Sequence, residues 1–301
     1  SATQITATAP AGTGTVDVRV TTTGGTSATS AADRFTYVGA PTVSSISPSS
    51  GPATGGTTVT LSGTNFSGTT AVTFGATAAT GFTVNSATQI TATAPAGTGT
   101  VDVRVTSLGG TSATSAADQF TYVTAPTLTS ISPNSGPTAG GTSVTVNGSG
   151  FTGATAVSFG GNSASAFTVN SASQITATAP AGSGTVDVRV TTTGGTTATS
   201  AADQFTYANA PTIASLAPAV GPTTGGTVVT LSGGGFTGAT AVNFGGNSAS
   251  AFTVNSASQI TATAPAGTGT VDVRVTTPGG SSAPAQFTYI NVAVGPVSAT
   301  V

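Results

Sequence analysis

Apolar and polar residues alternate along many short stretches of this chain. Within residues 99–106, every second residue is valine, and the residues between the valines are threonine, aspartate and arginine. A period of two places the valines on one face of an extended chain and the charges on the other. The pattern therefore predicts a half-buried β-strand.

The same alternation predicts five more strands nearby, rich in the Thr, Val, Ile and Phe that suit pleated, half-buried positions. They cover residues 57–61, 71–74, 82–84, 90–94 and 119–122. Glycine and proline stand between them at turn spacings, and no segment has helical periodicity. With a strand around residues 130–133 opening the next unit, about seven strands per unit favour an all-β, immunoglobulin-like sandwich.

The whole pattern recurs every 85 residues, as Ile5, Ile90, Ile175 and Ile260 in the phrase QITATAPAG show. Residues 1–21 recur unchanged at 86–106. A fixed period predicts a tandem array of one folded unit. The predicted divisions are a C-terminal half repeat at 1–40, complete repeats at 41–125, 126–210 and 211–290, and the start of a different segment or linker at 291–301.

The half repeat at 1–40 allows two interpretations. It is a boundary within a longer array, or it is a unit that another chain completes as an assembly device. In both cases a sandwich without half of its strands is expected to expose apolar faces and unpaired edges. The sequence leaves the choice open.

Two phrases resemble a known family. The stretch PTLTSISPNSGPTAGGT at residues 126–142, followed by Gly148–Phe151, resembles the opening of IPT/TIG domains, and Gln204–Tyr207 resembles their ending. The resemblance covers residues 41–290 three times, and half a unit before them. It implies immunoglobulin-like modules such as those of plexin receptors, some transcription factors and tandem arrays of bacterial surface proteins. The charged DNA-contacting loops and receptor cysteines of the family are not matched, so the resemblance points to the bacterial arrays.

Composition narrows the functional classes. The chain has no Cys, Met, Trp, His, Lys or Glu, and its five Arg and seven Asp give a net charge of −2. A basic stripe for phosphate contacts is missing, so no nucleic-acid partner is expected. No stretch approaches the ~20 apolar residues that cross a bilayer, so no membrane insertion is expected in this segment. Without disulfides, each unit must be held by burial and hydrogen bonding.

The aromatic residues recur in register and are predicted to be structural. All 13 phenylalanines are predicted to be core residues, in sets that begin with Phe35, Phe66, Phe74 and Phe82. The tyrosines, beginning with Tyr37, lie two residues beyond a core phenylalanine. Their hydroxyl groups are expected to reach the boundary with the following unit.

The charged residues offer two candidate sites, and we assign neither a role in binding. Asp102 and Arg104 recur in all four copies, about 7 Å apart on a solvent face, where they pair loosely and favour solubility. Asp33, Asp118 and Asp203 suggest calcium, but calcium needs about six to eight oxygen ligands, and only one acid per unit is available there. The fourth copy has Ala285 at that position.

No catalytic residue is predicted. Hydroxyl groups are abundant, but no His, Lys, Cys or Glu is present to activate them, and the sequence shows no paired aspartates. We therefore expect no enzyme activity, no cofactor and no catalytic, cofactor-binding or metal site.

The linker YVTAP at residues 122–126 is short and contains a proline, so we expect an extended rod in which each repeat adds about 30–40 Å. The favoured hypothesis is a non-catalytic structural spacer or stalk of a bacterial cell-surface or secreted, adhesin-like protein, with neighbouring repeats as its partners. One alternative is a subunit of a self-assembling extracellular filament, since the charge is low. Another is a glycan- or receptor-binding module.

Overall fold

A computed structural model describes residues 1–291, so nearly all of the segment predicted at 291–301 lies outside the described residues. The chain divides into two compact units, one of residues 1–125 with 193–195 and one of the other described residues. Apart from three 3₁₀ turns, the regular structure of this part is all strand. None of its helices has the length and apolar character needed to span a membrane.

The strands of the first unit fall into a half repeat and a complete repeat. The half repeat contains β1 (Gly14–Asp17), β2 (Thr21–Thr22), β3 (Gly25–Thr26), a 3₁₀ turn (Ala31–Asp33) and β4 (Arg34–Tyr37). The complete repeat contains β5 (Thr42–Ser47), β6 (Ser50–Pro52), β7 (Thr58–Thr64), β8 (Thr69–Phe74), β9 (Thr77–Ala78), β10 (Gly81–Ser86), β11 (Gln89–Thr93), β12 (Gly99–Ser107), β13 (Gly110–Thr111), a 3₁₀ turn (Ala116–Asp118) and β14 (Gln119–Val123).

The next two repeats have the same order of strands, but the third has no 3₁₀ turn before its last strand. The second contains β15 (Thr127–Ser132), β16 (Ser135–Pro137), β17 (Ser143–Ser149), β18 (Ala156–Phe159), β19 (Asn162–Ser163), β20 (Ala166–Ser171), β21 (Gln174–Thr178), β22 (Gly184–Thr192), β23 (Gly195–Thr196), a 3₁₀ turn (Ala201–Asp203) and β24 (Gln204–Ala208). The third contains β25 (Thr212–Ala217), β26 (Val220–Pro222), β27 (Val228–Gly234), β28 (Ala241–Phe244), β29 (Asn247–Ser248), β30 (Ala251–Ser256), β31 (Gln259–Thr263), β32 (Gly269–Thr277), β33 (Gly280–Ser281) and β34 (Ala285–Ile290).

Each complete repeat is a sandwich of two sheets. In the first, a four-stranded sheet has the order β10-β11-β7-β5, and a six-stranded sheet has the order β6-β14-β12-β8-β9 with β13 paired to β12. The described pairs are antiparallel except β6 with β14, which is parallel. The predicted sandwich is thereby confirmed. The predicted count of strands missed β6, β9 and β13, because two or three residues are too few to show alternation.

The core of each complete repeat lies between its two sheets. Val103 and Val105 from β12 and Phe120 from β14 are fully buried, and they pack in one cluster with Val59 and Leu61 of β7. Phe74 contacts Phe120 edge to face, with ring centroids 5.3 Å apart, and the other two repeats preserve this contact at 5.2 Å. The second and third repeats have separate clusters of their own. Each complete repeat therefore closes around its own core.

The prediction that every phenylalanine is a core residue is wrong in two places. Phe82 is 37% exposed, whereas the matching Phe167 and Phe252 are half-buried and pack against the core clusters of their repeats. They lie on β10 and its counterparts, at the edge of the four-stranded sheet with one neighbouring strand. Phe35 is also exposed, because the half repeat has no opposing sheet.

The hydroxyl groups of Tyr207 and Tyr289 bond within their own repeats, which corrects for these two residues the prediction that tyrosine hydroxyls reach the next unit. The Tyr207 Oη donates a 2.9 Å hydrogen bond to the Pro180 carbonyl, and Tyr289 does the same to Pro265. The Tyr207 ring also covers Gly182, where a Cβ would come within 2.6 Å of the ring. The contact of each tyrosine with the preceding core phenylalanine, 5.1 Å for Tyr207, holds its ring against its own sheet.

Substituting two of the tyrosines compares a hydroxyl group that makes a hydrogen bond with one that is buried without a partner. Tyr207→Phe removes a hydrogen bond and should lower the free energy of unfolding of its repeat by about 1 kcal/mol. Tyr122→Phe is the matched control, because the Tyr122 Oη is buried without a partner, so its removal should be neutral or stabilising. Denaturant unfolding monitored by hydrogen exchange in each repeat measures both effects. An equal loss in the two variants would contradict this account.

Candidate functional site

The recurring arginine is engaged by its own repeat. Arg104 donates from Nε and Nη2 to the Ser112 carbonyl at 3.0 and 2.8 Å, and Arg189 binds the Thr197 carbonyl in the same way. The expected loose pairing with aspartate occurs only in the third repeat. There Arg274 Nη2 lies 3.5 Å from Asp272 Oδ2, which is the one ion pair within residues 1–291. Both side chains are nearly half-exposed, so the pair adds little stability.

The structure brings together two aspartates that the sequence analysis treated separately. Asp102 on β12 lies opposite Gln119 on β14, and Asp118 directly precedes Gln119. The carboxyl group of Asp118 thereby lies close enough to the Asp102 carboxylate for the two charges to repel each other. Asp187 and Asp203 form the same pair in the second repeat. The sequence analysis did not predict that these aspartates lie close together.

A capping box buries the second aspartate of each pair. Ser115 N donates to both oxygens of Asp118 at 3.2 and 3.1 Å, while Ala117 N donates to Ser115 Oγ. The sequence signal is Ser-Ala-Ala-Asp, a capping pattern around a 3₁₀ turn. Asp118 and Asp203 are fully buried. The second pair also leaves Asp203 Oδ1 buried without a hydrogen-bond partner.

The environment makes ionisation of these buried groups costly. Burial, and then the adjacent Asp102 carboxylate, raises the pKa of Asp118 above its usual 3.8, although hydrogen bonds from the backbone oppose the shift. Burial and Asp187 raise the pKa of Asp203 in the same way. A carboxyl group that is buried beside a second carboxylate favours the protonated form.

The third repeat lacks this arrangement, and the half repeat keeps the capping box without fully burying its aspartates. In the third repeat Ala285 replaces the buried aspartate, and Gln286 Nε2 donates to Asp272 Oδ1 at 2.7 Å. In the half repeat Asp17 is exposed and Asp33 only half-buried. The third repeat has the same strands and a core of its own without an aspartate at this position.

The geometry of the aspartate pairs limits their chemistry. The first aspartate of each pair disfavours ionisation of the second, but a substrate cannot reach the second carboxyl group because it is fully buried. Within the described residues, no three Asp, Glu, His or Cys side chains form a group able to hold a metal ion. The pairs are therefore candidates for pH-dependent stability rather than for binding.

A separate, uncharged groove of about 530 Å³ lies in the second unit. It is bounded by the linker Ala208–Ala210 and by the turn at Pro278–Gly279, and hydroxyl and amide groups supply its polar surface. Gly279 packs so closely on the Asn209 carbonyl that a Cβ would overlap it. In the first unit Asn65 stands where this groove has Gly235, and its Nδ2 donates to the Ala40 carbonyl at 3.1 Å.

The protein consists of tandem immunoglobulin-like sandwiches, and the hydrogen bonds of Arg104, Arg189 and Asp118 stay within their own repeats. The model of the IPT/TIG domain matches residues 41–122, 126–207 and 211–289. The chain therefore belongs to the IPT/TIG family. No curated protein is significantly similar to it in sequence.

Solved structures with a similar fold include a receptor and two bacterial proteins. The plexin A4 full extracellular region is 20% identical with a TM-score of 0.38, over 79% of this chain and 23% of that one. SGBP-B of the Bacteroides ovatus mixed-linkage glucan utilization locus is 17% identical with a TM-score of 0.26, over 83% and 66%. The Escherichia coli adhesin FdeC is 17% identical with a TM-score of 0.25, over 84% and 98%. This chain thus spans about a quarter of the plexin region that it matches.

The aspartate pairs predict the sign of the pH dependence. An acid with a raised pKa in the folded state binds more protons folded than unfolded, so it stabilises fully below pH 3.8 and loses that effect as pH rises through the folded pKa. The Asp118→Asn and Asp203→Asn variants keep an oxygen for the capping bond and remove the repulsion. Their repeats should be more stable than wild type at pH 7, with the difference shrinking as pH falls.

Hydrogen exchange at a series of pH values measures this difference repeat by repeat. The third repeat is an internal control, since Ala285 stands at the equivalent position and both variants leave it unchanged. A stability difference that stays constant from pH 7 to pH 4 would contradict the account.

Proposed function

We propose that this chain is a non-catalytic structural spacer, whose role is to separate other parts of a longer protein by a distance set by the number of repeats. The observation that carries the proposal is that each complete repeat buries a core of its own. A self-contained unit can be copied without altering the others, so length grows with copy number. The recurring arginines, tyrosines and capping serines support the same conclusion, because their hydrogen bonds stay within one repeat.

The spacer is proposed to belong to a bacterial cell-surface or secreted, adhesin-like protein. Support comes from membership of the IPT/TIG family in tandem copies and from the resemblance of the sequence to the arrays of bacterial surface proteins. In this proposal the binding function lies in other domains. The extended arrangement of the repeats is part of the proposal.

A binding role is the second candidate, and the groove beside Asn209 favours it. Its polar groups are hydroxyls and amides, and no charged residue lines it, so it suits a neutral polar ligand. Glycans are such ligands, and a glycan array probed with the full chain would test this candidate. Loss of a detected signal in Gly279→Ala, with retention in Gly246→Ala, would assign it to the groove, since a Cβ at Gly246 meets nothing within 4 Å.

Deleting one period tests the spacer proposal. Removal of residues 126–210 joins Ala125 to Pro211 and recreates the native Ala-Pro junction. The maximum dimension from small-angle X-ray scattering should fall by about 30–40 Å. The remaining repeats should unfold as before, because their cores lose no residue. An unchanged dimension, or collapse of the remaining repeats, would contradict the proposal.

A further inference from the structure

The four-stranded sheet of each complete repeat ends in an exposed edge strand. In the first repeat this strand is β10, whose one neighbour among the described residues is β11. All six residues of β10 are exposed, and β20 and β30 hold the same place in the other two repeats. We call the central part of these strands the open edges, and they are Phe82–Val84, Phe167–Val169 and Phe252–Val254.

The opposite end of the same sheet is blunted. There a bulge between Val43 and Ser45 interrupts β5, and prolines stand just before and just after that strand. Bulges and prolines are devices with which proteins protect the edges of their sheets. In contrast, β10 has no proline and no charged residue, and its bulge comes only after Val84. The open edge is therefore regular and unprotected.

The hydrogen bonds of β11 show which backbone groups point to the open edge. At the end of β11, Ala94 N donates to the Thr57 carbonyl, on the side of β7, at 2.8 Å. Successive residues of a central antiparallel strand bond to opposite sides, so Thr91 bonds to β10, where it lies opposite Thr83. The N–H and C=O groups of the residues before and after Thr83 therefore point away from β11.

We propose that the open edge pairs with the open edge of a second copy of this chain, antiparallel and about a two-fold axis at Thr83. Phe82 then lies opposite Val84 of the second copy, and Val84 lies opposite its Phe82. These are the residues whose backbone groups point outward, so each edge supplies the donors and acceptors that the other needs. A two-fold contact of this kind is self-complementary. The inference goes beyond the spacer proposal and does not depend on it.

The side chains favour the same occupant. Phe82 and Val84 share one face of the strand and are 37% and 36% exposed, so pairing covers apolar surface. On the other face Thr83 meets Thr83 of the second copy. Neither edge carries a charge, so the two copies do not repel each other. Addition of a strand to an exposed sheet edge is an established mode of recognition.

The other two repeats preserve the open edge. Ala179 N and Ala264 N make the hydrogen bond of Ala94 N to the equivalent threonine carbonyls, both at 2.8 Å. The register of β20 with β21, and of β30 with β31, also repeats that of β10 with β11. Each chain therefore carries three equivalent open edges, centred on Thr83, Thr168 and Thr253.

Charge substitution at the centre of the open edges tests both the partner and the register. Thr83, Thr168 and Thr253 are exposed, and in the proposed pairing each faces an equivalent threonine. The wild-type chain should self-associate as its concentration rises in sedimentation velocity. Lys at all three positions, or Asp at all three, places like charges opposite each other. Either variant should associate at least about tenfold more weakly, which corresponds to about 1.4 kcal/mol.

Mixing the two variants should restore association. In an equimolar mixture a lysine edge faces an aspartate edge, so the mixture should associate at least as strongly as wild type. The matched control places Lys or Asp at Thr54, Ala139 and Thr224, which are exposed in the turn between β6 and β7 and in its counterparts. These variants change the net charge equally but leave the open edges intact, so each alone should associate like wild type.

Hydrogen exchange at rising chain concentration locates the contact. Exchange of the Phe82 and Val84 amides should slow as the chain associates, because these amides gain partners in the second copy. The Thr83 amide already bonds to β11 and should change little. The equivalent amides of the other two repeats should behave in the same way.

Three results would overturn the inference. The first is a wild-type chain that stays monomeric at every concentration tested. The second is a lysine variant that associates as strongly as wild type. The third is a mixture of the lysine and aspartate variants that associates no better than either variant alone, which would assign the association to another register or another surface.

Discussion

Each complete repeat is held together by packing of its two sheets around a core that contains three buried phenylalanines. Phe120 and its counterparts contact a second phenylalanine across neighbouring strands and pack with the valines of the strand between them. Burial of each such side chain is worth about 2 kcal/mol, whereas an exposed ion pair adds ~0–1 kcal/mol. With no cysteine and few charges, the repeat depends on this closure.

Within the described residues, the half repeat has the sequence of a complete repeat's second half without an opposing sheet. Its β1 covers four residues, while the corresponding β12 in the complete repeat covers nine. Val18 and Val20 lack the neighbouring strand that β8 provides in the complete repeat, and their side chains are exposed although their backbones keep hydrogen bonds to Asp33 and Ser27. The same alternation of apolar and polar residues thus forms a nine-residue strand where a partner strand is present and a four-residue strand where it is not.

Alternation and period predicted most of the fold, because both follow from which residues face the core. Every strand predicted in the first complete repeat is present, and the ends differ by a few residues. The exposure of Phe82 was not predictable in this way, since alternation does not tell an edge strand from a central one. The tyrosine hydroxyls and the aspartate pairs were missed because they depend on strand register. Asp102 and Asp118 are 16 positions apart in the sequence and meet only through the pairing of β12 with β14.

The central claim is that each complete repeat is stabilised by its own core, and Phe205→Ala tests it most directly. Hydrogen exchange of the full chain should show a loss of about 3–5 kcal/mol of protection within residues 126–210, and Phe167→Ala, at a half-buried position, should lose clearly less. Protection in 41–125 and 211–290 should be unchanged. A comparable loss of protection across all three repeats would contradict the account, because it would show that their cores form one cooperative structure.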